Sequence, residues 1–89
     1  EVENCLMKHP AVFEAAIVGR KDDAGLIKPE GFVVLNEGYQ AEATLMEQLQ
    51  SYVKETLASY KYPRWLHFVQ DLPKTATGKI QRFKLRNTQ

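Results

Sequence analysis

The sequence has one cysteine, Cys5, and no apolar run that approaches the roughly 20 residues needed to cross a bilayer. A lone cysteine cannot form an internal disulfide, and neither His9 nor His67 stands at a metal-ligand spacing from it. This argues against a zinc site and a cysteine nucleophile, and it favours a reducing compartment. The N-terminus also lacks a basic region followed by a cleavable apolar stretch. These absences predict a soluble, cytoplasmic protein with no membrane partner.

The sequence also has little net charge. A formal charge of +1 at pH 7 gives no general attraction to nucleic acid or to anionic membranes, although the last eighteen residues contain no acid. A chain of 89 residues has room for one domain with one modest core. A complete enzyme for two substrates would be unusual at this length. Because the chain starts at Glu1 rather than at methionine, we expect a piece of a longer protein.

The first half of the chain predicts a helix followed by two strands. Apolar residues at three- and four-residue spacing, with Pro10 after them, predict a short helix that ends near Lys8. The run VFEAAIVG at 12–19 is rich in β-formers and predicts a strand covered on both faces. A turn at 22–25 separates it from GFVVL at 31–35, which predicts a second strand antiparallel to the first.

The second half predicts a longer helix, a third strand and a terminal helical turn. Thr44 and Glu47 fit a helix capping box, so we expect the helix to start at Thr44, and its apolar stripe reaches Tyr60. The run WLHFV at 65–69 predicts a short strand, and QRFKLR at 81–86 predicts a closing helical turn. The expected order is α-β-β-α-β-(short α), an α+β fold with a small sheet of about three strands covered by helices.

The segment LPKTATGKIQR combines threonines with Gly78 and lacks apolar periodicity, which predicts an exposed polar loop. Lys79 follows the glycine, and a flexible ammonium presented in this way suits an anionic ligand. A phosphate-binding loop would need a glycine in place of Pro73 and a serine or threonine in place of Ile80. The alternative interpretation is that Lys79 is an ordinary solvated lysine, as most exposed lysines are.

Four segments together resemble the C-terminal domain of the acyl-adenylate-forming superfamily, which contains acyl-CoA synthetases, luciferases and peptide-synthetase adenylation domains. They are EVEN..L..HP.V.EAAIVG, D..G...P.GFVVL, YKYPRWLHFV and LPKTATGKIQR, in the order and spacing of that family. The resemblance covers essentially the whole chain and is most like benzoate-type aryl-CoA ligases. It implies that residues 1–89 form one C-terminal lid domain of a larger enzyme, whose N-terminal domain and hinge lie outside this sequence.

The resemblance further implies an AMP-forming acid-thiol ligase in which Lys79 contacts the carboxylate substrate and the α-phosphate region of ATP during adenylation. ATP with Mg²⁺ and CoA are the implied substrates, with their main sites in the N-terminal adenylation domain of the same polypeptide. No metal ligand is expected in this chain, and the fragment alone is expected to be inactive. Acetylation of Lys79 by a protein acetyltransferase would remove its charge and should switch off adenylation.

The resemblance also implies a contact with the nucleotide end of CoA in the segment that contains Tyr60 and Lys61, where relatives use an aromatic and a basic side chain. Some aryl-CoA ligases have arginine where this sequence has Tyr62, so Lys61 or Arg64 would have to substitute for it. The alternative interpretation is that Tyr60 packs on the helix core and that Lys61 faces solvent.

Two other functions stay open at this point. A small binding module could use a basic patch on nucleic acid or an anionic surface. The residues of that patch would be Lys74, Lys79, Arg82, Lys84 and Arg86. An adenylation domain could instead load a carrier protein or support a light-emitting oxidation. We assign only structural roles to Trp65 and Phe68, and no catalytic role to His9 or His67.

Overall fold

The structure, a computed structural model, describes residues 1–86 and has the predicted α+β architecture. Its sheet has the strand order β1-β2-β3, with β1 antiparallel to β2 and β2 parallel to β3. The elements are α1 (Val2–Met7), β1 (Val12–Lys21), β2 (Ile27–Leu35), α2 (Ala43–Thr56), a 3₁₀ turn (Ser59–Lys61), β3 (Trp65–Phe68) and α3 (Arg82–Arg86). The predicted element order and the antiparallel return of the second strand are confirmed.

Apolar side chains cover both faces of the sheet, as the continuous apolar run in β1 predicted. Adjacent residues of a strand point to opposite faces, yet Ala15 and Ala16 are both buried. The larger cluster lies on the side of α1 and α2 and contains Cys5, Leu6, Ala11, Val12, Ala15, Val33, Leu45, Leu49, Val53 and Leu66. The smaller cluster lies on the opposite face and contains Ala16, Val18, Phe32, Leu72 and Leu85.

A β-bulge near the start of β1 changes which face the later residues occupy. Val12 pairs with Leu35 and Glu14 with Val34, so that Phe13 is the extra residue. Val12 and Ala15 are three residues apart, and strict alternation would put them on opposite faces, but both belong to the larger cluster. The bulge therefore lets Val12 stay in that core while Glu14 moves to the other face.

The predicted boundaries of the long helix were wrong at both ends. α2 begins at Ala43, its N-cap is the extended residue Glu42, and no side chain caps it, because Thr44 is already inside the helix. The helix ends at Thr56, since Leu57 is extended with φ −110° and ψ −156°. Tyr60 therefore lies outside the helix, is 75% exposed, and does not continue the apolar stripe.

Across residues 1–86, none of the helices combines the length and the apolar character that a membrane span requires.

Candidate functional site

Lys79 lies in a hydrogen-bonded turn, residues 74–80, which we call the Lys79 turn. An isolated antiparallel bridge pairs Lys74 with Ile80 at its base. The Thr75 N–H donates to the Lys79 carbonyl oxygen at 2.8 Å, and the Gly78 N–H donates to the Thr75 carbonyl oxygen at 3.0 Å. Gly78 has φ +88°, a conformation that favours glycine. The predicted exposed loop is thus confirmed, and its backbone has a defined geometry.

The threonines of the motif contribute to this geometry. The Lys79 N–H donates to Thr75 Oγ1 at 3.1 Å, and the hydroxyls of Thr75 and Thr77 are 3.0 Å apart. Of the two residues that flank the turn, Gln81 donates its N–H to the Pro73 carbonyl oxygen at 2.8 Å. Short side-chain to backbone bonds of this type fix turns, so the sequence KTATGK determines the backbone conformation of the turn that contains Lys79.

The two lysines of the turn have different electrostatic surroundings. Lys79 is exposed, and its ammonium has no ion-pair partner within residues 1–86. The Lys74 ammonium lies 2.8 Å from Glu14 and 3.8 Å from Asp71. The hydrogen bond to Glu14 raises the pKa of Lys74 above its ordinary value. Lys79 is therefore the lysine of the turn whose charge is available to an anion.

Glu3 of α1 connects three elements beside the turn. Its carboxylate accepts bonds from both Nε, at 2.8 Å, and a terminal nitrogen of Arg82 in α3. It also accepts the Ile17 N–H of β1 at 2.7 Å. Burial acts to raise the pKa of Glu3, but the hydrogen bonds from Arg82 and Ile17 outweigh it, and the pKa is held below its ordinary value.

The lowered pKa of Glu3 predicts that acid destabilises the fold through this residue. A carboxyl whose folded pKa is depressed contributes stability above its unfolded pKa, near 4.5, and loses it as the pH falls through the folded pKa. We expect the free energy of unfolding in urea to fall less steeply below pH 4.5 in Glu3→Gln than in the unmodified chain. The exposed Glu37→Gln is the matched control. An unchanged slope in Glu3→Gln would contradict this role for Glu3.

The five basic residues of the binding-module alternative do not form a patch of free cations. Glu14 pairs with Lys74, and Glu3 pairs with Arg82, so two of the five are neutralised inside the domain. Phe83, which lies between two of them in sequence, is 56% exposed.

Tyr60 and Lys61, the residues expected to contact CoA, lie together at the surface in the 3₁₀ turn. Lys61 forms an ion pair with Glu1, and this hydrogen bond raises the pKa of Lys61. Its Nζ lies 6.0 Å from the centre of the Tyr60 ring. Tyr62 instead packs against the larger core cluster, with Lys54 Nζ 4.1 Å from its ring centre. No hydrogen bond or ion pair of the described residues joins Tyr60 or Lys61 to the Lys79 turn.

The sequence did not reveal a charged cluster around Glu30, which is 1% exposed on the central strand. Its carboxylate lies 3.1 Å from Arg20 and 2.7 Å from His67, which belong to the two neighbouring strands. Arg20 stacks 4.5 Å from the centre of the Trp65 ring, and His67 stacks on Phe32. Glu30 and His67 are 37 residues apart in sequence, so no short spacing indicates this pair. Strand pairing alone brings these side chains together.

In residues 1–86 no group of three or more histidine, cysteine, aspartate or glutamate side chains could hold a metal ion.

The chain is similar to known proteins over nearly all of its length. Residues 1–79 match the family model described as the AMP-binding enzyme C-terminal domain. The chain is 61% identical over 87 residues to a benzoate–CoA ligase of Thauera aromatica, and the match covers 98% of this chain and 16% of that relative. The chain thus spans about a sixth of the length of this curated relative.

Solved structures give the same relationship. A benzoate CoA ligase from Burkholderia xenovorans LB400 has 56% identity and a TM-score of 0.87, over 96% of this chain and 17% of its own. The anthranilate CoA ligase AuaEII, in complex with anthranoyl-AMP, has 49% identity and a TM-score of 0.90, over 98% of this chain and 17% of its own.

Proposed function

Because this chain belongs to the AMP-binding enzyme C-terminal domain family, we propose that it is the catalytic lid of an ATP-dependent carboxylate–CoA ligase. Its partner would be the N-terminal adenylation domain of the same polypeptide, since the relatives are about six times as long. Benzoate or another aryl acid is the proposed carboxylate, by analogy with the benzoate–CoA ligases. ATP and CoA would be the other substrates of this AMP-forming acid-thiol ligase, and we propose a cytoplasmic location.

The proposed first half-reaction joins the carboxylate to AMP. A carboxylate oxygen attacks the α-phosphorus of ATP, a new oxygen–phosphorus bond forms, and the bond to the leaving pyrophosphate breaks. Both reactants are anions, so a cation held between them stabilises the transition state more than the separated reactants. The observation that carries the proposal is the Lys79 ammonium, which is exposed and without an ion-pair partner in the described residues, on a hydrogen-bonded turn.

The remaining requirements of adenylation would be met outside these residues. Mg²⁺, when bound, neutralises charge on the phosphates of ATP. Since no acidic cluster of residues 1–86 fits it, we propose that its ligands lie in the N-terminal domain. Closure of this domain over the site would exclude water from the reactive acyl-adenylate. The isolated domain should therefore be inactive.

The test of the proposal is carboxylate-dependent ATP–pyrophosphate exchange, compared between the unmodified full-length enzyme and Lys79→Ala, which lacks the ammonium. Strong loss of exchange when the ammonium is removed supports the proposal, and unchanged exchange refutes it. A carrier protein in place of CoA is the alternative acceptor. Comparing thioester formation with CoA and with a phosphopantetheinylated carrier protein distinguishes the two.

In the proposed second half-reaction the thiol of CoA attacks the acyl carbon of the acyl-adenylate and AMP leaves. We propose that Tyr60 and Lys61 contact the nucleotide end of CoA in this step. Tyr60 offers an exposed ring, and beside it lies the positive charge of Lys61, which CoA would have to take over from Glu1. Lys61→Ala is expected to raise the KM for CoA up to about fivefold, the scale of one exposed charge contact, and to leave ATP–pyrophosphate exchange unchanged. The matched control is Lys8→Ala, which removes an exposed lysine outside this segment. An unchanged KM for CoA in Lys61→Ala would contradict the assignment.

A protein acetyltransferase that acts on Lys79 is a proposed regulatory partner. Lys79 is exposed and without an ion pair among the described residues, whereas Lys61 and Lys74 are held by carboxylates. Acetylation removes the charge of a lysine while keeping most of its length. Lys79→Gln is a variant that reproduces this loss of charge, and it should lose exchange as the acetylated enzyme would.

A further inference from the structure

We propose that Glu14 is a positioning residue for adenylation, which acts through Lys74 to hold the Lys79 turn against β1. This inference rests on the proposed function, because it concerns the residue that places Lys79 rather than one that touches substrate. It follows from the bulge in β1, from one ion pair and from the hydrogen bonds of the turn.

The first step is the bulge at Phe13, which determines where the Glu14 side chain points. Beyond the bulge, Glu14 shares a face with Ala16 and Val18, whose side chains lie in the smaller cluster beside Leu72. The chain continues from Leu72 into the Lys79 turn. In regular alternation from Val12, Glu14 would instead point into the larger apolar core. The extra residue therefore directs a carboxylate towards the turn.

The second step is the ion pair itself. Lys74 Nζ donates to Glu14 at 2.8 Å, and the two side chains are only 33% and 21% exposed. Asp71 lies farther from Lys74, at 3.8 Å, and its side chain is 81% exposed. Water still reaches the Lys74–Glu14 pair, so its shorter distance, not burial, distinguishes it from the contact with Asp71. Among these contacts, Glu14 is thus the one that fixes Lys74 to the sheet.

The third step runs from Lys74 to Lys79 along the backbone. Lys74 forms the base of the turn by pairing with Ile80. The next residue, Thr75, bonds Lys79 twice, from its N–H to the Lys79 carbonyl oxygen and from the Lys79 N–H to its hydroxyl. Displacing Lys74 therefore displaces Lys79. Loss of Glu14 also leaves the Lys74 ammonium poorly neutralised, which places a competing cation at the base of the turn.

The experiment removes the charge of Glu14 without changing its shape. In the full-length enzyme, Glu14→Gln is expected to lower kcat for carboxylate-dependent ATP–pyrophosphate exchange by about tenfold to 10²-fold, the scale of a small misplacement. Thioester formation from supplied acyl-adenylate and CoA should stay within about threefold of the unmodified enzyme, because Lys79 acts in adenylation. The control is Glu37→Gln, a charge removal at an exposed position far from the turn in sequence, and the Tm values of both variants should agree within about 2 °C.

Charge reversal separates positioning from a general loss of structure. Glu14→Lys alone should be at least as damaging as Glu14→Gln, and adding Lys74→Glu should restore exchange to within about threefold, because the pair re-forms with opposite polarity. Unchanged exchange in Glu14→Gln would overturn the proposal, and so would equal loss in both half-reactions or no restoration in the double variant.

Lys79→Ala, measured in parallel, distinguishes a failure of the positioning role of Glu14 from a failure of the proposed function. If Lys79→Ala abolishes exchange while Glu14→Gln does not alter it, the positioning role fails and the proposed function stands. If Lys79→Ala has no effect, both fail.

Discussion

Lys79→Ala in the full-length enzyme is expected to reduce carboxylate-dependent ATP–pyrophosphate exchange by about 10²-fold or more, the scale of losing one preorganised charge contact in a transition state. The ammonium is the group that the turn presents without an ion-pair partner in the described residues. The loss should appear in kcat rather than in the KM for ATP, because the contact strengthens as the carboxylate approaches the phosphate. Lys79→Gln should behave in the same way.

The matched control for this prediction is Lys84→Ala, which removes another exposed lysine of the basic C-terminal segment. Its exchange rate is expected to equal that of the unmodified enzyme. If both lysine variants lose exchange to the same extent, the effect reflects the general positive charge of the segment. If neither does, Lys79 is an ordinary surface lysine.

Leu49→Ala is expected to lower the free energy of unfolding of this domain by about 2–5 kcal/mol, the cost of a cavity in a packed core. Leu49 is 0% exposed and lies in the larger cluster between α2 and the sheet. Domains are stable by only about 5–15 kcal/mol, and short chains lie towards the lower end. The variant should therefore lose a large share of its stability. Urea denaturation of the variant and of the unmodified domain, fitted with one shared m-value, measures this loss.

The control is the same substitution at an exposed site. Leu26 lies in the turn between β1 and β2 and is 57% exposed, so Leu26→Ala should change the free energy of unfolding by less than about 0.5 kcal/mol. Equal effects at both positions would mean that Leu49 does not lie in the core described above.

The sequence predicted most of the fold because its elements carry local signals. The apolar run before Gly19 and the run GFVVL mark two strands, and the threonine–glycine motif marks a loop. The same local logic failed at the ends of α2. Thr44 matches a capping box, but Glu42 takes the N-cap position, and Leu57 leaves the helical conformation before Tyr60 is reached. A capping pattern and a periodicity do not determine at which residue the backbone changes conformation.

The candidate site was predicted in part for the same reason. Lys79 stands in a local motif, and both its exposure and its turn follow from neighbouring residues. Contacts between elements far apart in sequence carry no local signal: the ion pair of Glu14 with Lys74 spans 60 residues, and that of Glu3 with Arg82 spans 79. The bulge at Phe13 is also needed to bring Glu14 to the correct face.

The most direct test of Lys79 as an adenylation residue uses full-length Lys79→Ala enzyme supplied with acyl-adenylate and CoA. This assay bypasses the step in which the ammonium is proposed to act. The rate of thioester formation is expected to stay within about threefold of the unmodified enzyme, while exchange is lost. A loss of thioester formation as large as the loss of exchange would contradict the assignment.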